Sequence, residues 1–138
     1  MTINKVHQLE QAVVKILNLD GWELEWSGDG YEHFDAKGKT PKGKPCVIEM
    51  KFRKTYYETK MLEKLKYDKL MAMDQDIVKL YFVNDPKANY MFWLNDIELT
   101  ETKELYCPDT TLWSKKKRNK IVYLLKEEQA AIINKNER

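Results

Sequence analysis

YEHFDAKGKTPKGKPCVIEMKFR, residues 31–53, holds two strand-like runs separated by a chain reversal. The first run, YEHFDAK (31–37), predicts a strand, and the glycines and proline of GKTPKGK (38–44) turn the chain. PCVIEMKFR (45–53) then returns as a second strand, partly buried through Val47, Ile48, Met50 and Phe52. Strand alternation places Tyr31, His33, Asp35 and Lys37 on one face of the first, and Val47, Glu49, Lys51 and Arg53 on one face of the second. If the two pair as a hairpin, Asp35 and Glu49 converge with Lys51 beside them. Carboxylates held close together repel and stay ionised only with a cation between them. Mg²⁺ (or Mn²⁺) suits such a pair, because it takes oxygen ligands from one or two carboxylates, water and phosphate. A lysine at the edge can stabilise a metal-bound hydroxide or charge building on phosphorus. The bland alternative is a Glu–Lys cross-strand pair on a solvated sheet face. His33 shares the face of Asp35, but a lone histidine reads first as structural or solvated.

Outward from this stretch, Ile3, Val6, Leu9, Val13, Ile16 and Leu17 recur at helical spacing and Asp20-Gly21 stops them, which predicts a first helix. WELEW (22–26) alternates at period two and reads as a strand. On the other side, TYYETKMLEKLKYDKLMAM (55–73) reads as one long amphipathic helix, with Tyr57, Met61 and Leu65 four apart. IVKLYFV (77–83) is the most apolar run and predicts a central strand; YMFWL (90–94) predicts the next. Residues 95–114 read mostly as loop, NKIVYLL (119–125) as a strand, and KEEQAAIINK (126–135) as a terminal helix. No repeat or linker-like composition appears, so the expectation is a single domain over residues 1–138, an α/β fold with a mixed sheet flanked by helices.

A chain of 138 residues with 43% hydrophobic and 33% charged residues is too apolar for disorder. No apolar run approaches the roughly 20 residues of a membrane span, and MTINKVHQLEQ lacks the apolar region of a signal peptide. Cys46 and Cys107 are far apart and form no metal-binding pattern, so free, inert thiols and a cytoplasmic location are expected. The net charge of +2 conceals segregation: residues 1–36 carry two basic and seven acidic side chains, and 37–69 carry eleven and four. Residues 70–112 carry three and eight, and 113–138 carry eight and three. Such blocks mark either a polyanion-facing surface or solvated lysines. Lys60, Lys64, Lys66 and Lys69 on the helix expected after residue 53 are candidates for phosphate contact. So are Lys115, Lys116, Lys117, Arg118 and Lys120, five cations in six positions that repel one another unless a polyanion is present. Tyr56 and Tyr57 could stack on unpaired bases, although Tyr57 also fits the apolar stripe. Trp113 reads as an anchor for the basic loop or as core.

Glu-x-Lys alone is a weak signal, since Glu58-Thr59-Lys60 and Glu101-Thr102-Lys103 repeat it. With its context, however, the arrangement resembles the PD-(D/E)XK nuclease core, and is most similar to Holliday-junction-resolvase-type members. There a first-helix Glu precedes a strand, a strand bearing Asp, a turn, and Glu-x-Lys. Here Glu10, GWELEW, His33-Phe34-Asp35 and Val47-Ile48-Glu49-Met50-Lys51 follow that order over about half the chain, with Phe34 in place of the signature proline. The resemblance implies a restriction-endonuclease-like fold, with metal held by Asp35 and Glu49, a ligand from the Met50 carbonyl, a catalytic Lys51, and Glu10 on a metal-linked water or second ion. It implies Mg²⁺-dependent hydrolysis of DNA, with branched or structured DNA among the substrates, by a homodimer that needs no organic cofactor. The alternatives are a nucleic-acid-binding protein of this fold without turnover, and an adaptor that binds protein through its Trp- and Tyr-rich surface.

Overall fold

The computed structural model describes residues 1–108 and 117–136, the side chains of 107, 108, 117 and 118 excepted. Helix α1 (Ile3–Leu19) starts where the Thr2 hydroxyl accepts the Lys5 N–H at 3.2 Å. It stops at Gly21, whose φ of +96° suits glycine. Three strands follow as an antiparallel meander: β1 (Glu23–Trp26), β2 (Ala36–Lys39) and β3 (Pro45–Phe52). The chain continues through β4 (Thr59–Glu63), α2 (Lys64–Met71), β5 (Val78–Asn84), β6 (Ala88–Trp93), β7 (Lys103–Pro108), β8 (Lys117–Lys126) and β9 (Ile132–Lys135).

Among the described residues the strands form two sheets, β1-β2-β3-β5-β6-β9 and β4-β8-β7. Within the larger sheet β3 and β5 run parallel and the other neighbours antiparallel, so the sheet is mixed. Alternation along β3, β5 and β6 divides the core. Ile48, Met50, Leu80, Phe82 and Met91 pack with Val14 of α1 and with Trp22. Val47, Tyr81, Val83, Tyr90 and Phe92 pack on the other side, against Leu62 and Tyr123 of the small sheet and Leu70 of α2. The expected α/β class with a mixed central sheet stands, but the second face is covered by a small sheet as well as a helix.

Four local expectations change. The strand expected over 31–37 begins only at Ala36 and runs on through Lys39, into the stretch read as a turn. The helix expected over 55–73 is a strand followed by a shorter helix. In β4 Lys60 and Leu62 turn inward while their neighbours are half-exposed, and the strand pairs with β8 from Thr59↔Lys126 to Glu63↔Val122. Tyr57 and Leu65, expected on a buried stripe, are 58% and 64% exposed. The terminal helix expected over 126–135 is a single 3₁₀ turn, Glu127–Gln129, and an edge strand paired with β6. In the stretch read as loop, Lys103–Pro108 is a strand because β8 offers it a ladder; residues 109–114, with Trp113, lie outside the described residues. Among the described residues no helix is long and apolar enough to cross a membrane.

Candidate active site

The β2–β3 ladder ends at Ala36↔Ile48, and residues 31–35 peel away before it. Asp35 makes this departure orderly. Its backbone N–H donates to Ile48 O at 2.8 Å, and its carboxylate Oδ2 accepts the Met50 N–H at 2.8 Å. A side chain thus replaces the missing strand, and the edge of β3 beyond Ile48 opens into a cleft of about 410 Å³. Glu10, Asp35, Glu49, Met50, Lys51 and Lys66 line it. In an extended residue the N–H and C=O point to the same side, so the Met50 carbonyl faces that edge too.

Each carboxylate already has a partner. Glu49, 6% exposed, accepts from Lys66 Nζ of α2 at 3.0 Å. Glu10, 4% exposed on α1, accepts from Trp26 Nε1 at 3.0 Å, and the Trp26 ring meets His7 edge-on at 5.2 Å. Gly28 permits this approach, because a Cβ there would lie 2.3 Å from Glu10 Oε1 and 2.6 Å from Trp26 Nε1.

Burial dominates the electrostatics. It raises Asp35 to about 6, with Glu10 adding repulsion, against the Met50 N–H, Lys66 and Lys51. Burial likewise raises Glu49 to about 7; Lys66 opposes it and Asp35 adds to it. Glu10 is raised by burial, against its Trp26 hydrogen bond. Burial, then Arg53 and Lys66, push Lys51 down to about 8. Buried acids crowded beside a carbonyl, their pKa values raised, form a hard oxygen donor set suited to Mg²⁺ or Mn²⁺. Among the described residues, no three His, Cys, Asp or Glu side chains close into a preformed metal cluster.

The remaining expected site residues divide. Lys60 does not face solvent: it is 4% exposed and lies 2.6 Å from Asp85 Oδ2 and 3.4 Å from Glu127 Oε1, so it is not a DNA contact. Lys64 pairs with Asp68 at the surface, and Lys69 is exposed. Lys66, expected on an outer helix face, points into the cleft. No periodicity in the sequence marks it, because its position depends on α2 starting only at Lys64. Lys120 is half-buried, its Nζ 3.0 Å from Glu63 Oε1. Lys115 and Lys116 lie outside the described residues. Lys117 and Arg118 begin β8, their side chains outside the description. His33 is exposed. The Tyr56 hydroxyl donates to Glu127 Oε1 at 2.7 Å and its ring lies under Lys87, which engages it within the protein. Burial pushes the Cys46 thiol up to about 11, in keeping with an inert residue; the Cys107 side chain lies outside the description.

No family model matches the sequence, and no curated protein matches it. In fold the chain is similar to Hjc, a Holliday junction resolvase from the archaeal hyperthermophile Archaeoglobus fulgidus. The TM-score is 0.61 over 93% of this chain and 88% of that one, at 14% identity.

Proposed function

We propose that this chain is a metal-dependent DNA endonuclease of the PD-(D/E)XK type, one domain per protomer, acting on branched or structured DNA. The observation that carries the reading is the Asp35 carboxylate seated on the Met50 N–H, with Glu49 and Lys51 in the same cleft. The likeness in fold to a Holliday junction resolvase supports the substrate class.

Asp35, Glu49 and the Met50 carbonyl would hold Mg²⁺ or Mn²⁺, with Glu10 set back on its Trp26 partner. When bound, such an ion activates water and neutralises charge on the phosphoryl oxygens. Lys51, its pKa lowered to about 8, is suited to exchange a proton with the attacking water while its charge faces the phosphate. Lys66 neutralises Glu49 in the metal-free protein and is available to a phosphate once an ion takes that carboxylate. In-line attack then leaves a 3′-hydroxyl and a 5′-phosphate. Lys64, Lys69, Lys120 and the run Lys115, Lys116, Lys117 and Arg118 are proposed phosphate contacts flanking the cut.

The test is cleavage of linear, flapped and four-way DNA with Mg²⁺, run beside Asp35→Ala, Glu49→Ala and Lys51→Ala. Each substitution should abolish cleavage and preserve most DNA affinity, and Ca²⁺ should support binding with little turnover. Full activity in Glu49→Ala would sink the assignment. A second reading, a nucleic-acid-binding protein without turnover, draws on the pairing of Glu49 with Lys66 and Glu10 with Trp26. It predicts tight binding to the same DNAs and no cleavage with Mg²⁺ or Mn²⁺.

A further inference from the structure

A second cavity, of about 390 Å³, lies where the small sheet meets the carboxyl ends of the parallel strands β3 and β5. Its walls include the apolar Met61, Val83 and Leu124, and Arg53, Tyr57 and Tyr106 are among its polar lining residues. Of the polar groups inside, Tyr81 donates to Met61 O at 2.6 Å and accepts from Arg53, and Lys60 pairs with Asp85. Of its three tyrosines Tyr81 is buried, whereas Tyr57 is 58% and Tyr106 70% exposed. The cavity also adjoins the candidate active site. A small space between them is lined by Glu49, Lys51 and Lys66 of the cleft, by Arg53, Met61 and Tyr81 of the second cavity, and by Leu62 and Glu63 of β4.

Apolar walls, two exposed aromatic rings and a guanidinium on the side of the cleft match the parts of one unpaired nucleotide. A base stacks on an aromatic ring whatever its identity, and arginine takes the phosphate beside it. A base still inside a duplex shows only its edge and cannot present its face to a tyrosine. We propose that this cavity receives an unpaired base of the DNA strand whose phosphate lies in the cleft. Tyr57 and Tyr106 stack on the base, and Arg53 holds the phosphate between base and cut. This rests on the nuclease reading of the cleft. It gives that reading a substrate feature: an unstacked nucleotide next to the scissile phosphate, as at a junction, flap or gap.

The experiment compares binding, in Ca²⁺, of a fully paired duplex and the same duplex carrying a short single-stranded gap, for wild type, Tyr57→Ala, Tyr106→Ala and both Tyr→Phe variants. Each alanine variant should bind the gapped DNA roughly 5- to 100-fold more weakly, with little change on the duplex and near-normal binding by the phenylalanine variants. A 2-aminopurine placed in the gap should be quenched by wild type and not by Tyr57→Ala. Equal losses on both DNAs, or no quenching at any gap position, overturn the proposal. So does a change of oligomeric state in the alanine variants with DNA affinity unmoved, which would make the tyrosines a protein interface. Selective gap binding with no Mg²⁺-dependent cleavage of any DNA would remove the nuclease reading and keep the pocket. Cleavage without gap selectivity would do the reverse.

Discussion

The Lys60 ammonium sits 2.6 Å from Asp85 Oδ2 in a space with almost no solvent access, and also donates to Tyr57 O at 2.6 Å. Removing one partner of a buried pair strands the other, so Lys60→Met should cost about 3–5 kcal/mol in urea unfolding at neutral pH. Adding Asp85→Asn, which keeps the acceptor for the Lys87 and Ala88 N–H groups, should recover part of the loss. Burial alone would raise Asp85, but Lys60 and those two N–H groups outweigh it and hold its pKa below 3.8. A depressed acid gives its stability above the ordinary pKa and loses it as pH falls through the folded value. The gap between wild type and Lys60→Met should therefore be full at neutral pH and shrink below about pH 4. Lys66 behaves differently, because its partner Glu49 faces a cleft that an ion can enter. Lys66→Met should cost about 1–2 kcal/mol in EDTA and clearly less in saturating Mg²⁺, measured by calorimetry. Equal losses in both would count against an ion at Glu49.

At the level of elements, the β1–β2–β3 meander carries Asp35 and Glu49, and Gly38 is its tightest point. A Cβ at Gly38 would meet the Glu23 carbonyl oxygen at 1.8 Å and Leu24 Cα at 2.9 Å, both backbone atoms that cannot swing aside. Gly38→Ala should therefore destabilise by about 3 kcal/mol or more, read from the urea midpoint; a loss below 1 kcal/mol would mean that β1 and β2 separate freely here. The order of the meander was legible because its outer strands alternate within a few residues and the glycines and proline of 38–44 reverse the chain, but its middle strand was read over 31–37 and lies at Ala36–Lys39. β4 was not legible. TKMLEKLKYDKL keeps helical spacing throughout, and the strand forms at Thr59–Glu63 only because β8, some sixty residues later, supplies the ladder. The same holds for β9, whose AAIINK reads as helix until β6 offers an edge.

For the molecule as a whole, the larger sheet separates α1 from the small sheet and α2, and the candidate site opens where β2 leaves β3. One protomer presents one such cleft, whereas a branched DNA offers two strands. Two-fold symmetry is the commonest closed arrangement, and a homodimer is the expected state. Sedimentation at micromolar concentration, free and with four-way DNA, checks this. A monomer in both conditions would overturn it and favour single-strand nicking.

Features whose signals are local were set by the sequence itself. Helix α1 follows from its 3.6-residue period and its Asp20-Gly21 stop; β5 and β6 follow from apolar runs too strong for anything but the core. Alternation and one turn bring Asp35 near Glu49 in the sequence reading, but Asp35 precedes β2, and its seat on the Met50 N–H is made where the chain leaves β3. Tertiary structure alone decided the rest. It chose strand over helix for β4 and β9, buried Lys60 against Asp85, gave Glu10 to Trp26, and aimed Lys66 at Glu49. A helix satisfies its backbone within four residues, but a strand borrows its hydrogen bonds from a neighbour of any separation. A buried charge likewise depends on a partner that only the packed chain brings near.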